Sequence, residues 1–213
     1  MTTPTPPSDN GHASGSLLAL DWGTSTLRAV LLNSQGEVLR QHSSGDGIMN
    51  IPANGFAPFF EANFADWMYR DDLFCLISGM AGSQQGWVEA PYCPCPAGFD
   101  ELAAHLKWVE PGRIGIVPGL SCLHAGLPDS QHLRQIPDVM RGEEVQVFGA
   151  LQSLGLKDAL MVLPGTHSKW VQVRDSRIER FQTCMTGELF ALLRQHSILS
   201  RTLPALHGAA DSE

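Results

Sequence analysis

The sequence predicts an α/β fold: one lobe built on a mixed sheet, followed by an incomplete second lobe of the same type. Three observations lead there. Apolar runs of strand length are broken by glycine turns, longer stretches carry helical spacing, and one order of elements starts twice along the 213 residues. The repeated order is strand, glycine turn, strand, turn, strand, helix.

The first copy opens at Leu17-Leu18-Ala19-Leu20-Asp21, an apolar run ending in a carboxylate. The turn Trp22-Gly23-Thr24-Ser25 leads to a second run, Leu27 to Leu32, and Asn33-Ser34-Gln35-Gly36 leads to a third with Val38 and Leu39. Short strands joined by tight turns make an antiparallel meander. Residues 56–69 place Phe56, Phe59, Phe60, Phe64 and Trp67 at helical spacing. Leu73 to Ile77 and Ile114 to Val117 read as buried strands, and 101–107 as a short helix. Gly142-Glu143-Glu144 opens a helix reaching about Ser153, its glutamates suited to the positive end of the helix dipole.

The second copy runs Ala159 to Leu163, the turn Pro164-Gly165-Thr166-His167, Ser168 to Val173, Ile178 to Thr183, and a helix from Thr186 to about His196. It stops there. A meander with one helix is a poor core by itself, so the second lobe reads as incomplete. The expected division is a disordered tail at 1–16, a first lobe at 17–157 and the incomplete lobe at 158–213, whose last residues, 204–213, read as a polar tail.

Composition excludes several classes. Apolar residues make up 43% and charged residues 17%, which suits a packed core. The formal charge is −8, from 22 acidic and 14 basic side chains, and no lysine precedes Lys107. A nucleic-acid partner wants a basic face, and none stands out. No run reaches the length of a membrane span and no secretory signal is visible. The five cysteines, an odd number without a signal, predict reduced thiols in the cytoplasm. Cys93-Pro94-Cys95 is a close pair without the second pair that a zinc site needs.

Two hairpin turns can carry chemistry. The first is Asp21-Trp22-Gly23-Thr24-Ser25-Thr26-Leu27-Arg28. Gly23 lets a backbone approach a ligand, Thr24, Ser25 and Thr26 add hydroxyl and N–H groups, and Asp21 can hold a hydrated Mg²⁺. The second, Pro164-Gly165-Thr166-His167-Ser168-Lys169-Trp170, repeats the Gly-Thr-x-Ser chemistry and adds a lysine. Taken singly, each reads first as a polar turn, with Lys169 a solvated strand lysine and His167 a turn residue. Facing each other, they would form a two-sided phosphate clamp. Neither a Walker A loop nor a dinucleotide fingerprint occurs.

The paired hairpins resemble those of the sugar kinase, heat-shock protein and actin superfamily. Within it the chain resembles the 2-dehydro-3-deoxygalactonokinase family, on the segments LALDWGTSTLRAVLL, SGMAGSQQGWVEAPYCPCPA, IVPGL, DVMRGEEVQVFGAL, LPGTHSKWVQV and TCMTGELFALLRQHSIL. The resemblance runs from Leu17 to Leu203, and MRGEE, PGTHSKWV and MTGEL are its most specific parts. It implies an RNase H-like (actin-like ATPase) lobe. It also implies ATP- and Mg²⁺-dependent phosphorylation of 2-dehydro-3-deoxy-D-galactonate to its 6-phosphate in galactonate catabolism. Family chains continue well past residue 213 into a glycine-rich adenosine motif, so the resemblance also implies a truncated chain.

The roles follow the resemblance. Asp21 orients Mg²⁺ through water. Gly23, Thr24, Ser25 and Thr26, with Gly165, Thr166, His167, Ser168 and Lys169, hold the phosphates. Lys169 or Arg28 offsets the charge of the transferred group. Glu143 or Glu144, at the start of the interdomain helix, is the base for the attacking hydroxyl, with Glu143 ahead; Asp46 is an outside candidate. Gly79, Gly82, Ser83 and Gln84 contact the sugar acid, and Arg141 pairs with its carboxylate. Trp87 and Trp170 read as packing residues. A second reading is a non-catalytic remnant that binds the sugar acid but lacks the adenosine segment. A third, an RNase H-like nuclease, sits badly with the acidic balance and the second hairpin. A half-built sheet edge predicts self-association, with a homo-oligomer as one form of it.

Overall fold

The computed structural model describes residues 17–68, 73–124 and 135–201. The tails expected at 1–16 and 204–213 lie outside them. A six-stranded mixed sheet forms the first layer, in the order β3-β2-β1-β4-β7-β6. Its strands are β1 (Leu17–Trp22), β2 (Leu27–Leu32), β3 (Val38–Ser44), β4 (Phe74–Gly79), β6 (Lys107–Glu110) and β7 (Ile114–Ile116). The first three form the expected antiparallel meander, with Asp21 opposite Arg28 and Trp22 opposite Leu27 across the first turn. β4 lies parallel to β1 with Trp22 beside Gly79, and β7 lies parallel to β4. This is the strand order of the RNase H-like, actin-like lobe expected above.

Helix α1 (Phe56–Phe64) buries Phe56, Phe60 and Phe64, one per turn, under this sheet. The Trp22 ring meets Phe56 at 5.4 Å and Phe59 at 5.5 Å, centroid to centroid. Burying each such aromatic contributes roughly 1.5–3 kcal/mol. The core therefore holds the very residue from which the first hairpin turns. The helix ends at Phe64 rather than 69; beyond it Trp67 and Met68 donate their N–H groups to Phe64 O in a tightened turn.

The second antiparallel sheet is β10 (Ala159–Leu163), β11 (Ser168–Arg174) and β12 (Arg177–Cys184). α4 (Thr186–His196) follows, and none of its residues is buried. A third sheet is absent from the expectations: β5 (Cys93–Pro94), β8 (Leu120–His124) and β9 (Ile136–Met140). It forms one core with α3 (Glu143–Leu154) and the second meander, joining Leu120, Cys122, Met140, Phe148, Val171 and Phe181. Asp138 ties β9 to β12 by accepting from Thr183 N–H at 2.6 Å and from its hydroxyl at 2.5 Å.

The expected helix at 101–107 starts and ends earlier, as α2 (Phe99–Ala104), because Glu101 reaches back to accept from Gly98 N–H at 2.8 Å. Residues from Lys107 onward pair with β7 as strand instead. Arg177 bonds Glu101 at 2.6 Å and Pro96 O at 2.8 Å, linking β12 to α2, and this arginine holds the Glu101 carboxyl below its usual range. Among the described residues no helix is long and apolar enough to cross a membrane. All five cysteines are free thiols, and burial beside Cys122 and Cys93 pushes Cys95 up to about 12.

Candidate active site

The parallel strands β1 and β4 end side by side, and the crevice beyond such carboxyl ends is where open α/β sheets bind ligands. Here the crevice is a cavity of about 380 Å³. Asp21, Gly23 and Thr24 of the first hairpin line one wall, and Gly165, Thr166 and His167 of the second line another. Between them stand Gly79, Arg141, Gly142 and Glu143.

Two glycines permit this convergence. Gly79 has φ +86°, and a Cβ there would lie 2.8 Å from Trp22 O and 3.3 Å from Asp21 Oδ1. Gly142 has φ +102° and sits with its Cβ position 3.2 Å from Gly79 Cα. A side chain at either position would force apart the first hairpin, the end of β4 and the start of α3.

Each hairpin is braced from behind. Ile48 N–H donates to Gly23 O at 3.0 Å, Met49 N–H to Thr24 O at 3.2 Å, and Trp22 Nε1–H to Asp46 O at 2.9 Å. Within the turn, Gly23 N–H closes on Thr26 O at 2.9 Å. Glu188 N–H donates to Thr166 O at 3.1 Å, the Glu188 carboxylate meets His167 Nε2 at 2.5 Å, and the Ser168 and Thr186 hydroxyls bond each other. The MTGEL segment thus acts as a backing for the second hairpin.

The two glutamates at the start of α3 differ. Glu143 lines the cavity and accepts from Arg141 N–H at 3.0 Å. Glu144 is fully buried, and both its carboxylate oxygens accept from Gly142 N–H, at 2.9 and 2.8 Å. Desolvation pushes its pKa up to about 7.

Other residues singled out from sequence lie off this cavity. Lys169 is buried, with Nζ donating to Val139 O and to Thr183 Oγ1, both at 2.7 Å. Ser168 is likewise buried, whereas Ser25, Thr26 and Arg28 are exposed outside the cavity wall. Asp46 acts through its carbonyl, on Trp22. Ser83 and Gln84 line a second cavity of about 440 Å³, which shares Met80 and Arg141 with the first. Gly82 lies behind Arg141, its Cβ position 2.7 Å from Nη1. Gln146 and Met80 were not singled out; Gln146 stands three residues after Glu143, one helical turn on, which is the signal that finds it.

A mixed sheet in the order 3-2-1-4-7 with a glycine hairpin from each of two meanders facing one cavity is the arrangement of actin-like α/β proteins. Residues 21–213 match the family model described as 2-keto-3-deoxy-galactonokinase, so the chain belongs to that family. It is 40% identical over 191 residues to a protein assigned as a 2-dehydro-3-deoxygalactonokinase in Rhizobium meliloti (strain 1021). It is 38% identical over 196 residues to the 2-dehydro-3-deoxygalactonokinase of Escherichia coli (strain K12). The matches cover 89% and 92% of this chain but 60% and 62% of those proteins. A crystal structure assigned as a 2-dehydro-3-deoxygalactonokinase protein from Sinorhizobium meliloti superposes with a TM-score of 0.74 at 41% identity, covering 87% of this chain and 59% of that one.

Proposed function

We propose that this chain carries the phosphate-binding and acid–base half of a kinase that transfers the γ-phosphoryl group of ATP to the terminal hydroxyl of 2-dehydro-3-deoxy-D-galactonate, in the cytoplasm. The observation that carries the reading is the single cavity lined by Asp21, both glycine hairpins and Glu143.

The donor set fits the group. Mg²⁺ prefers oxygen ligands, keeps several waters and takes one or two carboxylates plus phosphate oxygens. Asp21 offers one such carboxylate, exposed in the cavity. Among the described residues no three His, Cys, Asp or Glu side chains cluster as a metal cage, so phosphate and water would complete the coordination. Bound MgATP supplies the electrophilic phosphorus and neutralises the charge spread over its oxygens.

The chain's own residues supply position and proton handling. The hairpins at Gly23-Thr24 and Gly165-Thr166 hold the phosphates from two sides. Glu143 takes the proton of the attacking hydroxyl, and Arg141 N–H on its Oε2 fixes the direction in which its other oxygen points. Glu144 stands behind this loop and holds Gly142 in place.

The test is a coupled ATP-consumption assay with 2-dehydro-3-deoxygalactonate, on this chain and on one extended to the length of its relatives. Turnover that requires the sugar acid supports the reading. ATP hydrolysis indifferent to the sugar acid, or no turnover by either chain, rejects it.

A further inference from the structure

Two strands from different sheets meet the cavity at Glu143 and at the second hairpin. β11 leaves the hairpin at Ser168, and β9 runs through Met140 into Arg141-Gly142-Glu143. Where they pass, a buried polar bridge joins them. Lys169 is 7% exposed, and its Nζ donates to Val139 O of β9 and to Thr183 Oγ1 of β12, both at 2.7 Å. The Thr183 hydroxyl donates onward to Asp138 Oδ1 at 2.5 Å, and Thr183 N–H donates to Asp138 Oδ2 at 2.6 Å. Lys169 and Thr183 face each other across β11 and β12. Lys169 lies two residues beyond His167, and Val139 lies two residues before Arg141. A buried ammonium linked to a carboxylate through a hydroxyl adds little stability that apolar side chains of similar volume would not. Short directional bonds instead admit one placement of β9 against β11.

The other sides of the site are fixed separately. Gly142 packs on Gly79 at the end of β4, which sets Glu143 against the first hairpin. Arg141 anchors the loop sideways, with Nη2 donating to Ala90 O at 2.8 Å and Cζ 4.5 Å from the centroid of the Tyr92 ring. The MTGEL segment holds the second hairpin to α4. The Lys169 bridge supplies the constraint between that hairpin and Glu143. We propose that Thr183 is a positioning residue for the reaction: by joining Lys169 to Asp138 it sets the distance between the phosphates on the second hairpin and the Glu143 carboxylate. Thr183 and Asp138 do not line the cavity, so they act through the strands that carry the hairpin and the base. The inference deepens the kinase reading and rests on it for the roles of both.

The experiment compares Thr183→Val, which removes the hydroxyl but keeps the volume and β-branching, with Thr183→Ser, which restores the hydroxyl. In the chain extended to the length of its relatives, Thr183→Val is expected to lower kcat about tenfold or more with KM for ATP unchanged, within the scale of a displacement near 1 Å. The hairpin keeps its own shape and backing, so nucleotide still binds. Thr183→Ser returns kcat to the wild-type value. A second readout needs no turnover. Hydrogen exchange on the 213-residue chain follows the amides of Arg141 and Gly142, which donate to Glu143 and Glu144, against that of Val30 in the middle of β2. Thr183→Val is expected to speed exchange at 141 and 142 about tenfold and leave Val30 unchanged. An equal rise at Val30 makes Thr183 a structural residue only and overturns the proposal. Unchanged exchange at 141 and 142 overturns it as well, and so does a Thr183→Val enzyme with normal kcat, whether or not its KM for ATP rises. If the extended wild type does not turn over the sugar acid, the kinase reading falls, and the exchange result still decides whether the bridge sets the Glu143 loop.

Discussion

Replacing Glu144 with glutamine keeps the shape of a buried side chain and removes its ionisation. The carboxyl is fully buried, and desolvation raises its pKa from 4.5 to about 7. The native state therefore holds this proton more tightly than the unfolded chain does, and wild-type stability falls as pH rises through that window. Below it the group is neutral in both states. Above it the folded protein carries a buried carboxylate, offset only in part by the bonds from Gly142 N–H. At about 1.4 kcal/mol per unit, the shift is worth about 3 kcal/mol. Glutamine stays neutral and still offers Gly142 an acceptor. Urea unfolding of both proteins at about pH 5.5 and about pH 8.5 isolates the effect, because other titrations cancel in the difference. Glu144→Gln is expected to gain about 2 kcal/mol relative to wild type between the two pH values, the part of the shift that lies above about pH 5.5. A gap that does not change with pH, or that closes as pH rises, refutes the argument that desolvation dominates at this carboxylate.

Three further outcomes are expected. A Cβ on Gly187 would stand 2.5 Å from Gly165 O, so Gly187→Ala pushes the second hairpin off its backing. A shift near 1 Å can lower turnover about a hundredfold; kinetics of the extended chain check this, and unchanged turnover would show that the hairpin's position is not critical. Lys169→Met leaves Val139 O and Thr183 Oγ1 without their donor and is expected to lower stability by roughly 1–3 kcal/mol. Because Nζ points away from the cavity, MgADP affinity should stay unchanged in that variant, and a weakened affinity with intact stability would place the ammonium on the phosphate. Asp21→Asn is expected to weaken MgADP binding far more than Mg²⁺-free ADP binding, and equal weakening would exclude a role at the metal.

Much of this architecture is written in local patterns. The runs around Leu20, Val30, Met161 and Val171 are strands because apolar residues fill them, and glycine or asparagine turns separate them. Helix α3 is legible from its glutamates and closes at Gly155, in the left-handed region at φ +63°. What the sequence hides is long-range. The third sheet joins a two-residue strand, Cys93–Pro94, to Leu120–His124 and to Ile136–Met140, which contains a proline; none of these carries a strand signal by itself. That sheet also decides Lys169. Alternation alone puts Ser168 and Lys169 on opposite faces of β11, but β9 passes beside β11 and β12, so both are buried. The stack of Tyr92 on Arg141 spans dozens of residues and has no local trace. The hairpins were visible singly; only the fold brings both to Glu143.

The central claim is that this cavity performs phosphoryl transfer with Glu143 as the base. Its most direct test is Glu143→Gln in the chain extended to the length of its relatives, with turnover and the binding of MgADP and sugar acid measured together. General-base catalysis contributes roughly 10²- to 10⁴-fold, so turnover should fall by that amount while both ligands bind as before. Full turnover by Glu143→Gln with intact binding would contradict the account and place the base elsewhere.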